Sequence, residues 1–442
     1  MGNPVVEQYI SGKLNLEGTN GHLTEHQKDL LRQLWVKLLA AFDKNIEELG
    51  HSEPIIDPSE KDSDENIEDH AKDGGNMKSS KSEPATNTSA LTNGFSLFGF
   101  GKKKVEHHDI HYKQLVRHMA SKESVPPPFN EKLTNHTVRD AFWDSIMCDN
   151  PDYLMLRFLR ARKWNVNDGY NMIMNCLSWR TTENITKIQW YGESLINLRL
   201  IKKGLGFLHG VDRIGQPVFY IPAHTHFGKD QPIEHFVRYI IYLIEMARLS
   251  LVHPAEKACI FFDLQHISMA NVDWKGFRAF LKVLTDYYPE CLGILIVYKA
   301  NSIFSLLWKA VKGMLDPVVA SKVNFVNSKQ ELLKFISEDQ LLSEYEGKCD
   351  YHYEYVMPRP GENDRMYDAE EICRLKTERI KSIEELETAT REWSDPNISK
   401  EKVEEAKKKR DETIEKFIGI SKSYRDHVHA RTIYHRLGLV NN

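Results

Sequence analysis

The chain carries no Gly-x-Ser-x-Gly, no Gly-x-Gly-x-x-Gly and no His-Glu-x-x-His. Without the first there is no candidate nucleophile elbow, without the second no dinucleotide loop, and without the third no zinc-protease helix. Cysteine is sparse: Cys148, Cys176, Cys259, Cys291, Cys349 and Cys373 are scattered, with no Cys-x-x-Cys among them. That spacing builds neither a disulfide framework nor a zinc site, and reduced, mostly buried thiols fit a cytosolic compartment. Long apolar runs are missing too. The two most apolar stretches, 237–252 and 291–300, fall short of the ~20 residues a spanning helix needs, and Arg238, Glu245 and Arg248 interrupt the first. The start, MGNPVVEQYI, lacks a cationic stretch followed by an apolar core, and Val6 stands where a myristoylation signal after Gly2 needs Ser or Thr. Contact with a membrane is therefore expected to be peripheral. Positive charge is not in surplus either: the formal net charge is −4, which argues against a wholly basic nucleic-acid-binding surface. The histidines, among them His107, His108, His111, His224 and His226, fall in no metal or haem motif and are read as structural or surface residues. No catalytic residue, metal or cofactor is expected.

What is present is a globular balance, 41% hydrophobic and 28% charged over 442 residues, enough for one large domain with accessory segments or two to three ordinary ones. Leu30, Leu31, Leu34, Trp35, Leu38, Leu39 and Phe42 recur at helical spacing after Leu23-Thr24-Glu25. They mark an N-terminal helical segment within 1–50 that docks on a larger body. Residues 51–105 turn to Asp, Glu, Ser, Asn, Lys and Pro. Such a composition buries too little surface to offset chain entropy, so a disordered linker is expected. It ends in Phe95, Leu97, Phe98 and Phe100 among glycines, followed by Lys102, Lys103 and Lys104. Two readings stand: aromatics entering a membrane interface beside anionic lipid, or a loop folded back on the core. These glycines make no phosphate loop, because Ser96 stands where the first Gly is required.

Residues 106–190 read as helices, with Asp152 and Asp168 opening two of them. From 191 to 357 four short β-rich runs (217–221, 258–264, 293–300 and 323–326) alternate with helical ones at 234–252, 274–288, 302–315 and 329–336. That alternation predicts an α/β domain on a largely parallel sheet. Residues 358–442, after Pro358 and Pro360, read as a charged C-terminal helical extension. Ile372, Leu375, Ile380, Ile383 and Leu386 mark one helix, 403–437 another, and the basic run at 407–410 a solvated helix face.

Five short motifs then follow in a specific order. Leu156-Arg157-Phe158-Leu159-Arg160-Ala161-Arg162-Lys163-Trp164 precedes a helix ending Ser178-Trp179-Arg180. Gly215-Gln216-Pro217-Val218-Phe219-Tyr220, Phe262-Asp263-Leu264, Tyr287-Tyr288-Pro289-Glu290 and Leu315-Asp316-Pro317-Val318-Val319-Ala320-Ser321-Lys322 come after it. From about 110 to 355 the set resembles the CRAL-TRIO lipid-binding family, its fungal phosphatidylinositol-transfer branch in particular. The resemblance implies an N-terminal helical cap and a lipid-binding domain with a β-sheet floor, one deep cavity and an amphipathic gate helix. Residues 302–315 match the gate, with Phe304, Leu307, Trp308 and Val311 among the side chains that make it apolar on more than one face. An ordinary core helix has the same look.

By the same resemblance, Arg162, Lys163, Glu290 and Lys322 hold the inositol-phosphate headgroup. A guanidinium fork suits phosphate, and Glu290 accepts from inositol hydroxyls or orients Lys322. Taken singly, each of these charges reads as a surface ion pair; the ordered set carries the headgroup reading. The family's Thr in the last motif is Val319 here, the loss of one phosphate contact worth ~1–1.5 kcal/mol. Members that also carry phosphatidylcholine place hydroxyls around the choline phosphate, where this chain has Leu208, Phe219, Ala258 and Ile260. A choline phosphate without donors would pay a desolvation penalty there. The expected activity is non-enzymatic binding of phosphatidylinositol and its transfer between membranes, with presentation to a phosphoinositide kinase as a further expectation. A second apolar lipid, a sterol or isoprenoid, fits the wall that phosphatidylcholine does not, unless the acyl chains of phosphatidylinositol fill it alone. A cytoplasmic protein meeting membranes or lipid droplets transiently, with no nucleic acid, is the setting implied. Two alternatives stand beside this: a carrier or sensor of an apolar ligand, and an adaptor recruiting partners through its terminal helices.

Overall fold

The computed structural model describes residues 4–49, 55, 136–251, 254–301, 304, 308, 311–313 and 315–440. The expectations for the linker apart from Ile55, for the Phe95–Lys104 segment, for helices within 106–135 and for Leu307 lie outside these residues.

The chain opens with α1 (Pro4–Ser11), too short to be signalled by periodicity, and α2 (Glu25–Leu39). A capping box starts α2: Thr24 accepts from the Gln27 backbone N–H while the Gln27 side chain accepts from that of Thr24. Leu31, Leu34, Trp35, Leu38 and Leu39 form its buried stripe, as their spacing predicts. The helical part continues with α3 (Val138–Ile146), α4 (Pro151–Ala161), α5 (Val166–Thr182), α6 (Ile185–Tyr191) and α7 (Leu198–Lys203). The two expected caps are displaced. Asn150 caps α4, with Pro151 in its first turn, and Asn165 caps α5, because an Asn oxygen there reaches the first free N–H groups. Asp152 is instead buried, accepting from Trp35 Nε1 at 2.8 Å and from both Arg410 Nη atoms at 2.7 Å.

The sheet has five strands in sequence order: β1 (Phe207–Val211), β2 (Pro217–Pro222), β3 (Ala258–Asp263), β4 (Leu292–Tyr298) and β5 (Val323–Val326). β1 runs antiparallel to β2 and the remaining pairs are parallel. Within β1, His209 and Gly210 break the apolar run, which hides the strand from sequence pattern. The crossovers are α8 (Ile233–Ser250) and α9 (Trp274–Lys282), the latter ending in a π turn over Val283–Tyr287. Short α10 (Pro317–Ser321) and α11 (Lys329–Leu332) flank β5.

Two long helices, α12 (Ala369–Ser394) and α13 (Lys400–Val428), close the fold. Their apolar stripe is spent inside the molecule: Leu386, Trp393 and Phe417 share one core with Trp35 and Phe142. Arg410 is 1% exposed, held by Asp152 and stacked near Trp35 and Trp393, so the end of the 407–410 run is not a solvated face. A charge survives such burial because a carboxylate meets it bidentately.

Alternation along the strands separates two sheet faces. On one, Val218, Tyr220, Cys259, Phe261, Ile294, Ile296 and Tyr298 are each at most 3% exposed. They pack with Leu332, Phe335, Ile336, Leu341, Leu342 and Tyr345, and with Tyr9 of α1. The Tyr9 hydroxyl donates to Asp212 at 2.7 Å, fastening α1 to the β1–β2 turn.

Candidate functional site

On the opposite face, strand register sets Leu208, Phe219, Ile260, Leu295 and Val323 in one row across all five strands. Ala258 and Phe262 flank Ile260 on the same side of β3. The row is apolar, yet only Leu208, packed into the helical core, is buried in it; Phe219, Ala258, Ile260, Phe262, Leu295 and Val323 are half-buried. A Cβ on Gly206 would come within 2.9 Å of the Phe219 ring and 3.1 Å of Leu243, so this glycine lets the ring lie close to α8. An apolar sheet face is ordinarily covered by another layer. Here the cover is partial.

The segment holding Phe304, Trp308 and Val311–Gly313 supplies part of it. Phe304, Trp308 and Val311–Gly313 are helical, and Asn301 accepts from the Phe304 N–H at 3.2 Å at the start of that helix. Phe304 and Val311 are 8% and 6% exposed. The Phe304 ring stands 6.5 Å from Phe262, Trp308 stacks on Phe304 at 6.1 Å, and Trp308 meets Phe325 edge-on at 5.1 Å. The helix thus lies over the carboxyl-terminal half of the face, where Leu264 and Val297 are buried with it.

Charge collects at the other end. Lys257 immediately precedes β3, Glu290 lies two residues before β4 and Lys322 immediately precedes β5, so parallel pairing brings the three side by side. Lys257 Nζ is 3.3 Å and Lys322 Nζ 4.0 Å from the same Glu290 oxygen, and Lys322 donates to the Leu292 carbonyl at 2.9 Å. Burial by itself raises the Glu290 pKa; the ammonium groups of Lys322 and Lys257 outweigh it and hold the carboxyl below its usual range. Burial pushes Lys322 below the usual ammonium range, with Glu290 opposing.

Arg160, at the end of α4, bears electrostatically on both Glu290 and Lys322. It donates to Glu256 and to the Gly18 carbonyl at 2.7 Å each, while Arg157 donates to the Glu256 carbonyl at 2.5 Å. Gly18 has φ +72°, and a Cβ there would meet the Trp164 ring at 2.9 Å, so the segment between α1 and α2 lies against the α4–α5 turn. Arg162 and Lys163 sit on that turn, exposed, without a side-chain bond to a described residue. Lys163 and Trp164 hold φ of +51° and +66°, left-handed positions that strain non-glycine residues. Of the four headgroup candidates, Glu290 and Lys322 are therefore in contact, and Arg162 and Lys163 occupy a neighbouring exposed turn. The pattern of the chain passed over Arg157, Arg160, Glu256 and Lys257. Arg157 and Arg160 were legible as an i, i+3 pair in the same motif; Lys257 emerges only through strand register.

Among the described residues no group of His, Cys, Asp and Glu is arranged to hold a metal ion, and no helix is long and apolar enough to cross a membrane. A cavity of about 320 Å³ lies elsewhere, among α3, α6, α12 and α13, lined by Trp143, Asp144, Arg379 and Tyr424, and no strand contributes to it.

The chain matches the CRAL/TRIO domain over residues 201–347 and the CRAL/TRIO N-terminal domain over residues 111–175. A CRAL-TRIO domain-containing protein of Schizosaccharomyces pombe is 34% identical over 308 residues, 69% of this chain and 69% of that protein. The chain belongs to the CRAL/TRIO family. Another CRAL/TRIO relative, named phosphatidylinositol transfer protein CSR1, of Eremothecium gossypii, is 33% identical over 290 residues, 64% of this chain and 66% of that protein. The crystal structure of Sfh5 aligns with a TM-score of 0.42 at 16% identity, covering 59% of this chain and 96% of that one. The helices and the mixed sheet are the α/β arrangement expected from the motifs.

Proposed function

We propose that the protein binds phosphatidylinositol and carries it between membranes, with no bond made or broken. The observation that carries this reading is the half-covered apolar row on the sheet, closed by an aromatic helix at one end and bounded by a cation cluster at the other. Acyl chains belong along the row, where covering apolar surface is worth ~25 cal/mol per Å². The phosphate belongs with Lys322, Lys163 and Arg162, and Glu290 faces the inositol hydroxyls. The gate opens at a bilayer, with Trp308 and the exposed Phe325 as the aromatic pair meeting it. The Eremothecium gossypii relative, named a phosphatidylinositol transfer protein, supports the same cargo.

Leu208, Phe219, Ala258 and Ile260 bring no hydroxyl to the row, so phosphatidylcholine is not a cargo and a sterol or isoprenoid is the fitting second ligand. That lining equally favours a second reading, a carrier of the apolar molecule alone. Transfer of labelled phosphatidylinositol and phosphatidylcholine between vesicles, in parallel, separates the cases. Transfer of phosphatidylinositol alone is the expected result. Transfer of both removes the row as the basis of selectivity, and transfer of neither leaves the apolar-ligand carrier.

A further inference from the structure

The strand ends hold more positive charge than their own carboxylates neutralise. Among the described residues, Arg160, Lys257 and Lys322 face the carboxylates of Glu256 and Glu290, and Arg157, bonded to the Glu256 carbonyl, adds a fourth cation against these two acids. Neither lysine is saturated. An ammonium has three donors, yet among the described residues Lys322 gives one hydrogen bond, to the Leu292 carbonyl, and lies 4.0 Å from Glu290, and Lys257 pairs with Glu290 alone. Lys322 is 8% exposed, and two like charges converging on one carboxylate repel unless a second anion joins them. The Lys257 side chain is 28% exposed and so stands on the open side of the pair, where an arriving headgroup meets it.

We infer that Lys257 is a phosphate ligand of the headgroup site, acting with Lys322 across Glu290. Glu290 spaces the two ammonium groups, and a phosphate seated over it accepts from both. Resting on the lipid-carrier reading, this adds to it a specificity-determining residue with no counterpart among the motifs. The shared chemistry is a lipid phosphate. It comes either from a phosphodiester, as in phosphatidylinositol, or from a phosphomonoester, as in phosphatidic acid, which bears about −1.5 to −2 at neutral pH.

The test uses the full chain and three donor vesicles, containing phosphatidylinositol, phosphatidic acid or cholesterol in a phosphatidylcholine background. Lys257→Gln removes the charge and leaves a polar side chain one atom shorter; Lys257→Arg keeps the charge. Loss of one charge-assisted bond lowers phospholipid uptake ~tenfold or more in the Gln variant, while the Arg variant retains most of it. Cholesterol uptake stays at the wild-type level in both, which also reports that they fold. A larger loss with phosphatidic acid assigns the phosphomonoester as the preferred source, and an equal or larger loss with phosphatidylinositol assigns the diester. Wild-type uptake of both phospholipids by the Gln variant overturns the role of Lys257. Wild-type protein that takes cholesterol but neither phospholipid overturns the phosphatidylinositol reading itself, before any substitution is made.

Discussion

The two faces of the sheet have the same chemistry and opposite surroundings. Along β3, Cys259 and Phe261 turn back and are 0% exposed, while Ala258, Ile260 and Phe262 turn forward and stay half-covered. The back is sealed by the chain from Leu332 to Tyr345 and by Tyr9; the front has a helix over its carboxyl-terminal half. Phe219, Ile221, Ile260, Phe262 and Leu295 thereby forgo part of the stabilisation that full burial gives, and a hydrocarbon chain laid against them would supply it. Apolar residues on a strand announce burial. Which face keeps room for a guest depends on what distant chain is brought across it.

The largest expected effect breaks the back. Phe261→Ala removes a fully buried ring and costs ~3–5 kcal/mol in urea unfolding, whereas Ile260→Ala, one residue away on the half-covered face, costs ~1–2 kcal/mol. Equal losses would dissolve the distinction between the faces.

Next comes the charged end of the front. Lys163→Ala with Lys322→Ala removes two charge-assisted contacts of ~1.5–3 kcal/mol each. Phosphatidylinositol transfer should fall on the order of a hundredfold or more, with cholesterol uptake retained. Unchanged transfer sinks the headgroup assignment for both lysines.

These contrasts also mark how far the sequence was legible. β2 to β5, the helices described between 136 and 190 and the two long C-terminal helices followed from apolar period and motif order. β1 was hidden by His209 and Gly210, and α1 by having one turn of apolar residues to show. Arg410 read as solvent-facing because helical spacing says nothing of a carboxylate contributed from 258 residues away. The open face was illegible for a deeper reason: Ala258 to Phe262 is apolar at every position, so period 2 vanishes and no alternation tells front from back. Lys257 shares that fate, since its neighbours Glu290 and Lys322 are set by register rather than by spacing in the chain.

One pH dependence belongs to the back face. Burial pushes the Asp212 carboxyl up to about 6, against the hydrogen bonds from Tyr9, Gln216 and Ile214 that lower it. The unfolded chain releases this proton near pH ~4. The folded state therefore binds the extra proton, and the associated stability is full below pH ~4 and lost as pH rises through about 6. With Asp212 4% exposed, the change is roughly 2–3 kcal/mol. Unfolding free energies of wild type and Asp212→Asn between pH 4 and 7 should differ by a slope of that sign. Parallel profiles would remove Asp212 as the source, and cargo uptake on the front should not follow the titration.

The smallest expected effect sharpens the front. Ala258→Ser with Ile260→Thr puts two hydroxyls on one side of β3, two residues and ~7 Å apart, close enough to address one phosphate. Each hydroxyl facing empty apolar space costs ~1 kcal/mol or more, so the double variant should lose a little stability. Given a choline phosphate, each gains ~1 kcal/mol, enough to raise phosphatidylcholine uptake ~tenfold relative to phosphatidylinositol. Both lipids share a diester, so a gain confined to phosphatidylcholine would place its phosphate along the row and that of phosphatidylinositol at the strand ends. A variant that still refuses phosphatidylcholine would mean that donors on this row do not set selectivity and that the space beside β3 is too small for a choline headgroup.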